Sequence, residues 1–584
     1  MKQLDHYQIK HFVLICPHVQ DSAFIDNSIK SLDYPLKFTQ DNSENILLSL
    51  PRNTINASLN HFKPMVCGDD QDLDPAQSMF LGNGIYIKKE PDGNFVIASS
   101  LTGLPPLYMY SDSRCTVISD SIDTITKIPD CSLHYDTQAV LELAKIGFPI
   151  KHRTLFKEIK IIPAGSMVTV SDKNIDVIEN AWQPSYSEQF NSLEDYVDKM
   201  SQLMQLAISR MNLKGSFLSL TAGLDTRAIL AALIIENKLI PAFTISGTKL
   251  TLDAMRGRQL CSAYDIPHSI IAIDNASSEK LPEYTLLASR YSGGISSIEQ
   301  ATEIYFNQMV ESTFTGRLSG NLGNQIGRSG SEGTGTRNAP TTSLNTEINS
   351  HLSNLDSQHW FFQVNSDKDL LAPEFLIQKE NLFAQISNYS IGHETLIQHT
   401  PYADRSLINA KYSELLTTRD NPKTISEIKM RDLKHRIIGQ SPDRSFQCRV
   451  TQIAGGKVAS CPINWGWTTD GGFSVGGLYY GAKAFADILI GNKLNNFPRG
   501  KKLMEKAGIK GFSSFHTQHI LYSKDMQSYI KDILLKQKIR ESGLFNKNRL
   551  DYLIDKGFDE QSNYSEIVLT LDLALACENF NATV

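Results

Sequence analysis

The stretch Phe217-Leu218-Ser219-Leu220-Thr221-Ala222-Gly223-Leu224-Asp225-Thr226-Arg227 carries the residue types needed to hold phosphate. An apolar run ends at Leu220, a turn follows at Gly223, and a helix is expected from about Thr226. Amides at a helix start lack intrahelical partners, and the helix dipole favours an anion there. The hydroxyls of Thr221 and Thr226 add donors, and Asp225 adds the charge with which such a loop can hold Mg2+ against phosphate oxygens. The same residues also suit a plain strand–turn–helix joint in which Asp225 and Thr226 only cap the helix. A short motif alone does not decide between the two.

The surrounding pattern places this loop in an α/β fold. Leu193–Met211 has helical spacing, then the short apolar runs Gly215–Leu220, Ala242–Ile245 and Ser269–Ile273 alternate with helices up to about Asn237 and over Asp253–Tyr264. Strands alternating with helices predict a doubly wound parallel sheet over residues 190–480. Residues 1–185 read instead as a layered, mostly β domain, with short runs such as Phe95–Ala98, Val117–Ile118 and Ser166–Val170 between Gly, Asp and Ser clusters, and helix-like exceptions such as Thr137–Ile146. Residues 481–584 read as a helical extension, with Leu and Ile at helical spacing in Tyr529–Ile539 and Tyr564–Cys577. The polar segment Gly327–Asn345 suits a lid or an unstructured linker.

Composition narrows the partners. The 584 residues are 41% hydrophobic and 21% charged, as in ordinary globular chains, and the net charge of −6 gives no reason to expect a nucleic-acid or membrane-surface partner. No long apolar segment suggests a secretory signal or a membrane span, so a cytoplasmic location is expected. The eight cysteines form no C-x-x-C pair and no Cys/His cluster with zinc spacing, which is the pattern of scattered buried thiols. Self-association stays open.

The Thr221–Thr226 loop resembles the S-G-G-x-D-S pyrophosphate loop of ATP-pyrophosphatase enzymes, most of all the version in the asparagine synthetase and β-lactam synthetase family; lasso-peptide cyclases are similar. Downstream, Leu318-Ser319-Gly320-Asn321-Leu322-Gly323-Asn324-Gln325-Ile326-Gly327 resembles that family's L-S-G-D-G-G-D-E-L-F-G, and Thr400-Pro401-Tyr402-Ala403-Asp404-Arg405-Ser406-Leu407-Ile408 resembles V-P-F-L-D-x-x-L-V. Asp253, opening a helix after Ile245-Ser246-Gly247, looks like its Asp-led second helix. In the first part, Gly103-Leu104-Pro105-Pro106-Leu107-Tyr108 and Thr154–Gly165 resemble the family's glutaminase turns G-x-x-P-L-Y and T-x-F-x-x-I-x-x-L-P-P-G. The likeness covers roughly residues 80–470.

The resemblance implies a glutaminase-like first domain and an ATP-pyrophosphatase domain that joins a carboxylate to an amine through an acyl adenylate, releasing AMP and pyrophosphate. It implies ATP and Mg2+ as cofactors, with Thr221, Ala222, Gly223, Asp225, Thr226, Gly320 and Gly323 around the nucleotide and Asp225 and Asn324 at the metal. Substrates would be a small-molecule or peptide carboxylate and amine. Three acids of the family's pattern are amides here: Asn321, Asn324 and Gln325. Ile397 falls where the family's Glu precedes V-P-F-L-D; Glu394, one helical turn earlier, is the candidate if the backbone is helical there. Lys457 is the candidate for the basic residue that follows, or else a solvated surface lysine. The chain opens Met1-Lys2-Gln3 where the family's glutaminases have a catalytic Cys, so glutamine hydrolysis is not expected. A pseudoenzyme that keeps the fold and binds nucleotide or a partner is the alternative.

Overall fold

The computed structural model describes, apart from short gaps, residues 7–17, 30–32, 36–39, 46–51, 65–68, 81–328, 339–351, 385–417, 446–471 and 521–584. Residues 329–338 of the polar segment and 481–520 of the expected helical extension lie outside the described residues.

The first part is built on the apolar run that forms the long strand β1 (Tyr7–Pro17). Successive side chains of a strand point to opposite faces. Here both faces are covered: Phe12, Leu14 and Cys16 enter one core, and Val13 and Ile15 another. The strands that follow are β2 (Leu36–Thr39), β3 (Ile46–Pro51), β4 (Met65–Gly68), β5 (Gly84–Lys89), β6 (Phe95–Ala98), β7 (Leu107–Ser111), β8 (Cys115–Ser119), the two-residue β9 (Leu133–His134), β10 (Ile159–Ile162), β11 (Met167–Val170) and β12 (Ile175–Ile178). All but β9 join one sheet, ordered β10-β7-β8-β1-β4-β5-β6-β11-β12, with β3 also paired to β1 and β2 to β3. Its pairs are antiparallel except β1 with β4. Side chains from both ends of the sheet, such as Ile162 of β10 and Val168 of β11, meet in the same core as Phe12 and Leu14, so the sheet curls over its own inner face.

The second sheet is parallel. Strands β13 (Ser216–Ser219), β14 (Ala242–Ser246), β15 (His268–Ala272), β16 (Gly316–Leu318) and β17 (Ile397–His399) lie in the order β15-β14-β13-β16-β17. Each crossover carries a helix, as parallel pairing requires. The chain steps outward from β13 to β15, then returns to the other side of β13 for β16 and β17. The crevice beyond the carboxyl ends of β13 and β16 is therefore a topological switch point, the usual place for ligands in open α/β sheets. The fold is mixed α/β with one parallel and one largely antiparallel sheet, which is the class read from the sequence.

The last helices do not stand apart from the first sheet. Lys524–Leu535, Lys547–Lys556 and Tyr564–Asn579 share a core with β7, β8 and the helix Thr137–Lys145. Every residue from Glu566 to Cys577 is buried, so the last of these helices is covered on all sides. Beyond it, β18 (Ala582–Thr583) pairs in parallel with β9. Among the described residues no helix is long and apolar enough to cross a membrane.

Candidate functional site

The loop after β13 opens the helix Leu224–Ile235 with Gly223 as the N-cap residue, which supplies no side-chain cap. The N-cap residue thus offers no side chain to the first-turn amides, which a helix leaves without intrahelical acceptors. The loop is latched from within. Thr226 Oγ1 lies 3.0 Å from Thr221 Oγ1 and accepts from the Thr221 amide at 3.1 Å, and the Gly223 amide reaches Thr221 Oγ1 at 3.2 Å. The Ala222 amide donates to Asp253 Oδ1 at 2.7 Å. Burial raises the Asp253 pKa against the opposing pull of that amide. The threonine hydroxyls, expected as phosphate donors, are thus first of all bonded to each other.

The segment after β16 closes on this loop. A Cβ on Gly320 would lie 3.0 Å from Asp225 Cβ, and one on Gly323 would lie 2.7 Å from Asp225 Cβ and Cγ. Between them Leu322 sits at φ 67°, a left-handed conformation that costs a bulky residue about 1–3 kcal/mol. Thr400 Oγ1 donates to the Asn321 carbonyl at 2.7 Å, and the Tyr402 hydroxyl to the Asp225 carbonyl at 2.8 Å. Three motifs separated by up to 177 residues are therefore brought into contact around Asp225. Asn324 follows Gly323 on the short helix Gly323–Arg328.

Gln447 was not visible from the sequence. It is fully buried on the helix Phe446–Ala454, and its Nε2 donates to Asp225 Oδ1 at 2.7 Å, the Gly323 carbonyl at 3.0 Å and the Tyr402 hydroxyl at 3.1 Å. Only a polar residue at a buried helix position marked it. Gly323→Ala should drive a methyl group into Asp225, and if the loop holds Mg·ATP as the resemblance implies, its binding should weaken about tenfold with the circular dichroism spectrum unchanged; titration of the variant with Mg·ATP checks this.

Neither catalytic candidate takes part in the contacts just described. Lys457 is exposed on the helix Gly456–Ser460, which is held where the Val458 amide donates to the Tyr264 hydroxyl at 3.0 Å. Two residues after Asp225, the fully buried Arg227 donates to the Cys461 carbonyl and, at 3.1 Å, to the Pro462 carbonyl. Burial lowers its pKa to about 10, which still leaves it charged at neutral pH.

Glu394 follows the helix Ile386–His393, and the backbone beyond it is not helical: β17 begins three residues later. It therefore sits before the amino end of β17, at the edge of the sheet opposite the loop. There Glu394 Oε2 lies 3.2 Å from His11 Nε2 of β1, and Ser121 Oγ donates to its Oε1 at 3.4 Å. The other nitrogen of His11, Nδ1, is 2.7 Å from Asp120 Oδ2, and His393 Nε2 is 3.3 Å from the same oxygen. Burial alone would lower the His11 pKa, but Glu394 and Asp120 raise it to about 9. Burial would raise the Asp120 pKa, yet His11 and His393 hold it well below the usual carboxylate range.

No family model matches this chain, and comparison with curated proteins finds no match.

Proposed function

We propose that the chain binds Mg·ATP at the Thr221–Thr226 loop and uses it to form an amide or lactam bond through an acyl adenylate, releasing AMP and pyrophosphate without hydrolysing glutamine. The observation that carries the proposal is the uncapped start of the helix Leu224–Ile235 at the switch point between β13 and β16, with Asp225 on its first turn. That arrangement suits the pyrophosphate part of a nucleotide. In this reading the first sheet is a glutaminase-like domain and the second an ATP-pyrophosphatase domain, as the motif resemblance implies.

The residues fit the ligand. Backbone amides of the first helical turn would hold phosphate, and Asp225 with the side-chain oxygen of Asn324 would hold Mg2+. The metal needs only one oxygen from a carboxylate and accepts neutral oxygens and waters, so the Gln447 bond to Asp225 Oδ1 and a metal contact are compatible. Carboxylate attack on the α-phosphate needs little covalent help from protein; positioning and charge neutralisation carry such steps. Lys457 would serve only if its exposed side chain reaches the acyl centre. The absence of glutamine hydrolysis in this reading is supported by two described thiols of the first sheet: burial pushes Cys16 far up and Cys115 to about 12, so neither is a ready thiolate.

A second reading, nucleotide binding without turnover, is favoured by one observation: Asp225 is already engaged by the Gln447 amide, beside three amides that replace acids. One experiment separates them. Mg·ATP is titrated calorimetrically, and AMP and pyrophosphate are then followed with a panel of amino acids, sugar acids and short peptides as carboxylate and amine donors. The ligase reading expects binding and equimolar AMP and pyrophosphate, with no glutamate from glutamine. Binding with no pyrophosphate from any pair supports the second reading. No binding at about 1 mM ATP sinks both.

A further inference from the structure

The cluster around Asp120 lies at the opposite edge of the parallel sheet from the nucleotide loop and is used by nothing described above. His11, Asp120 and His393 are 4%, 3% and 2% exposed, and one donor atom from each lies within 4.8 Å of the others. The three converge on one oxygen: His11 Nδ1 and His393 Nε2 both face Asp120 Oδ2, while Asp120 Oδ1 accepts from the Phe12 amide at 3.0 Å. Ligands about 2.0–2.1 Å from a tetrahedral Zn2+ lie about 3.3 Å apart, so shifts of a few tenths of an ångström up to about 1.5 Å would place an ion among them.

The surroundings hold the donors in place. The His393 ring stacks on Tyr389 at 5.8 Å, and the Tyr389 hydroxyl accepts from Asn83 Nδ2 at 3.1 Å. The His11 ring meets His393 edge-on at 5.2 Å. On its far side His11 Nε2 faces Glu394 Oε2 at 3.2 Å, and among the described residues this buried nitrogen has no aligned hydrogen-bond partner. A carboxylate beyond the remote nitrogen of a ligating histidine is the arrangement that fixes the tautomer in metal sites. Charge points the same way. Two carboxylates face two imidazoles, and a divalent ion with both histidines neutral makes the group neutral overall.

We propose that His11 Nδ1, Asp120 Oδ2 and His393 Nε2 bind one divalent first-row transition ion, Zn2+ by preference, with Glu394 as the outer carboxylate that orients His11. Two imidazoles and a carboxylate suit zinc or iron and not Mg2+ or Ca2+. The ion would tie β1 and the end of β8 to the helix that leads into β17, and so clamp the antiparallel sheet to the parallel one. The proposal does not depend on the nucleotide reading.

The test is metal content and affinity of the full-length chain. After loading with ZnCl2 and dialysis against metal-free buffer, the wild type should keep about one Zn2+ per chain by elemental analysis. His393→Gln should fall to background. Glu394→Gln should bind about 10–100-fold more weakly in competition with a chromophoric chelator, the usual cost of losing an outer partner. His134→Gln, at an exposed histidine paired with Glu158, should behave as wild type. Zinc retained equally in all four proteins, or in none, overturns the site. If His393→Gln does not fold, the wild type loaded with Co2+ decides: intense visible bands of a four-coordinate ion support the site, and their absence overturns it.

Discussion

Asp225→Ala should lower AMP and pyrophosphate release by about 100–1000-fold and leave the chain folded. Removing a charged group that neutralises phosphate through a metal costs about 3–4 kcal/mol of transition-state stabilisation, and each 1.4 kcal/mol is a factor of ten in rate. The structural cost is far smaller. An acid on the first turn of a helix is worth about 0.3–1 kcal/mol against the dipole. Gln447 loses one acceptor but keeps the Gly323 carbonyl and the Tyr402 hydroxyl. Pyrophosphate release by the variant, with thermal unfolding alongside, checks both halves. Turnover within threefold of wild type would remove Asp225 from the mechanism. Asn324→Asp probes the same site in the other direction: a second charged ligand should lower the Mg2+ concentration needed for half-maximal release.

Three of the five strands of the parallel sheet were legible as short apolar runs between helical periods, whereas β16 (Gly-Arg-Leu) and β17 (Ile-Gln-His) span only three positions each, polar residues among them, and gave no such run. Predicted and observed elements agree within a residue or two: Gly215–Leu220 becomes β13, Ala242–Ile245 becomes β14, and Tyr564–Cys577 becomes the helix Tyr564–Asn579. Strand order was not legible residue by residue, because it depends on which side each crossover returns to. Nor was the docking of the C-terminal helices on the first sheet, since an apolar stripe says that a helix is covered and not by what.

The site was legible where a motif carries its own geometry and illegible where a position was inferred by counting. Gly320 and Gly323 meet Asp225 because those glycines leave room for the close approach. Glu394 was placed by its offset from Pro401 on the premise of helical backbone. Between the two, the chain instead crosses the sheet as β17, and a strand residue advances about 3.3 Å against 1.5 Å in a helix, so the acid is carried to the other edge. The cluster it joins had no spacing signature: His11 and Asp120 are 109 residues apart, and only the fold brings them together. Gln447 is a similar case, 222 residues from the aspartate it bonds.

Arg227→Ala should destabilise the chain by about 3–5 kcal/mol, more than any substitution at the contacts around Asp225. Arg227 has the largest fully buried side chain among the described residues, and its guanidinium bonds the carbonyls of Cys461 and Pro462. Truncation takes the guanidinium from the Cys461 carbonyl and leaves the part-buried Pro462 carbonyl only the weak Cys461 thiol at 3.8 Å, at about 1–3 kcal/mol each, and opens a cavity in a packed interior. The penalty is local in origin but wide in reach. The carbonyls belong to the turn that ends the helix Gly456–Ser460, and that helix carries Lys457. Loss of the anchor should therefore loosen the segment 456–463 before the rest of the chain, which hydrogen exchange would detect as faster amide exchange there at temperatures where the first sheet is still protected. Arg227→Lys should recover little, because an ammonium is a compact point charge and cannot present the planar fork that spans two adjacent carbonyls. Equal melting temperatures for wild type and Arg227→Ala, with unchanged exchange over 456–463, would show that the guanidinium is not what holds this turn on the helix that starts at the Thr221–Thr226 loop.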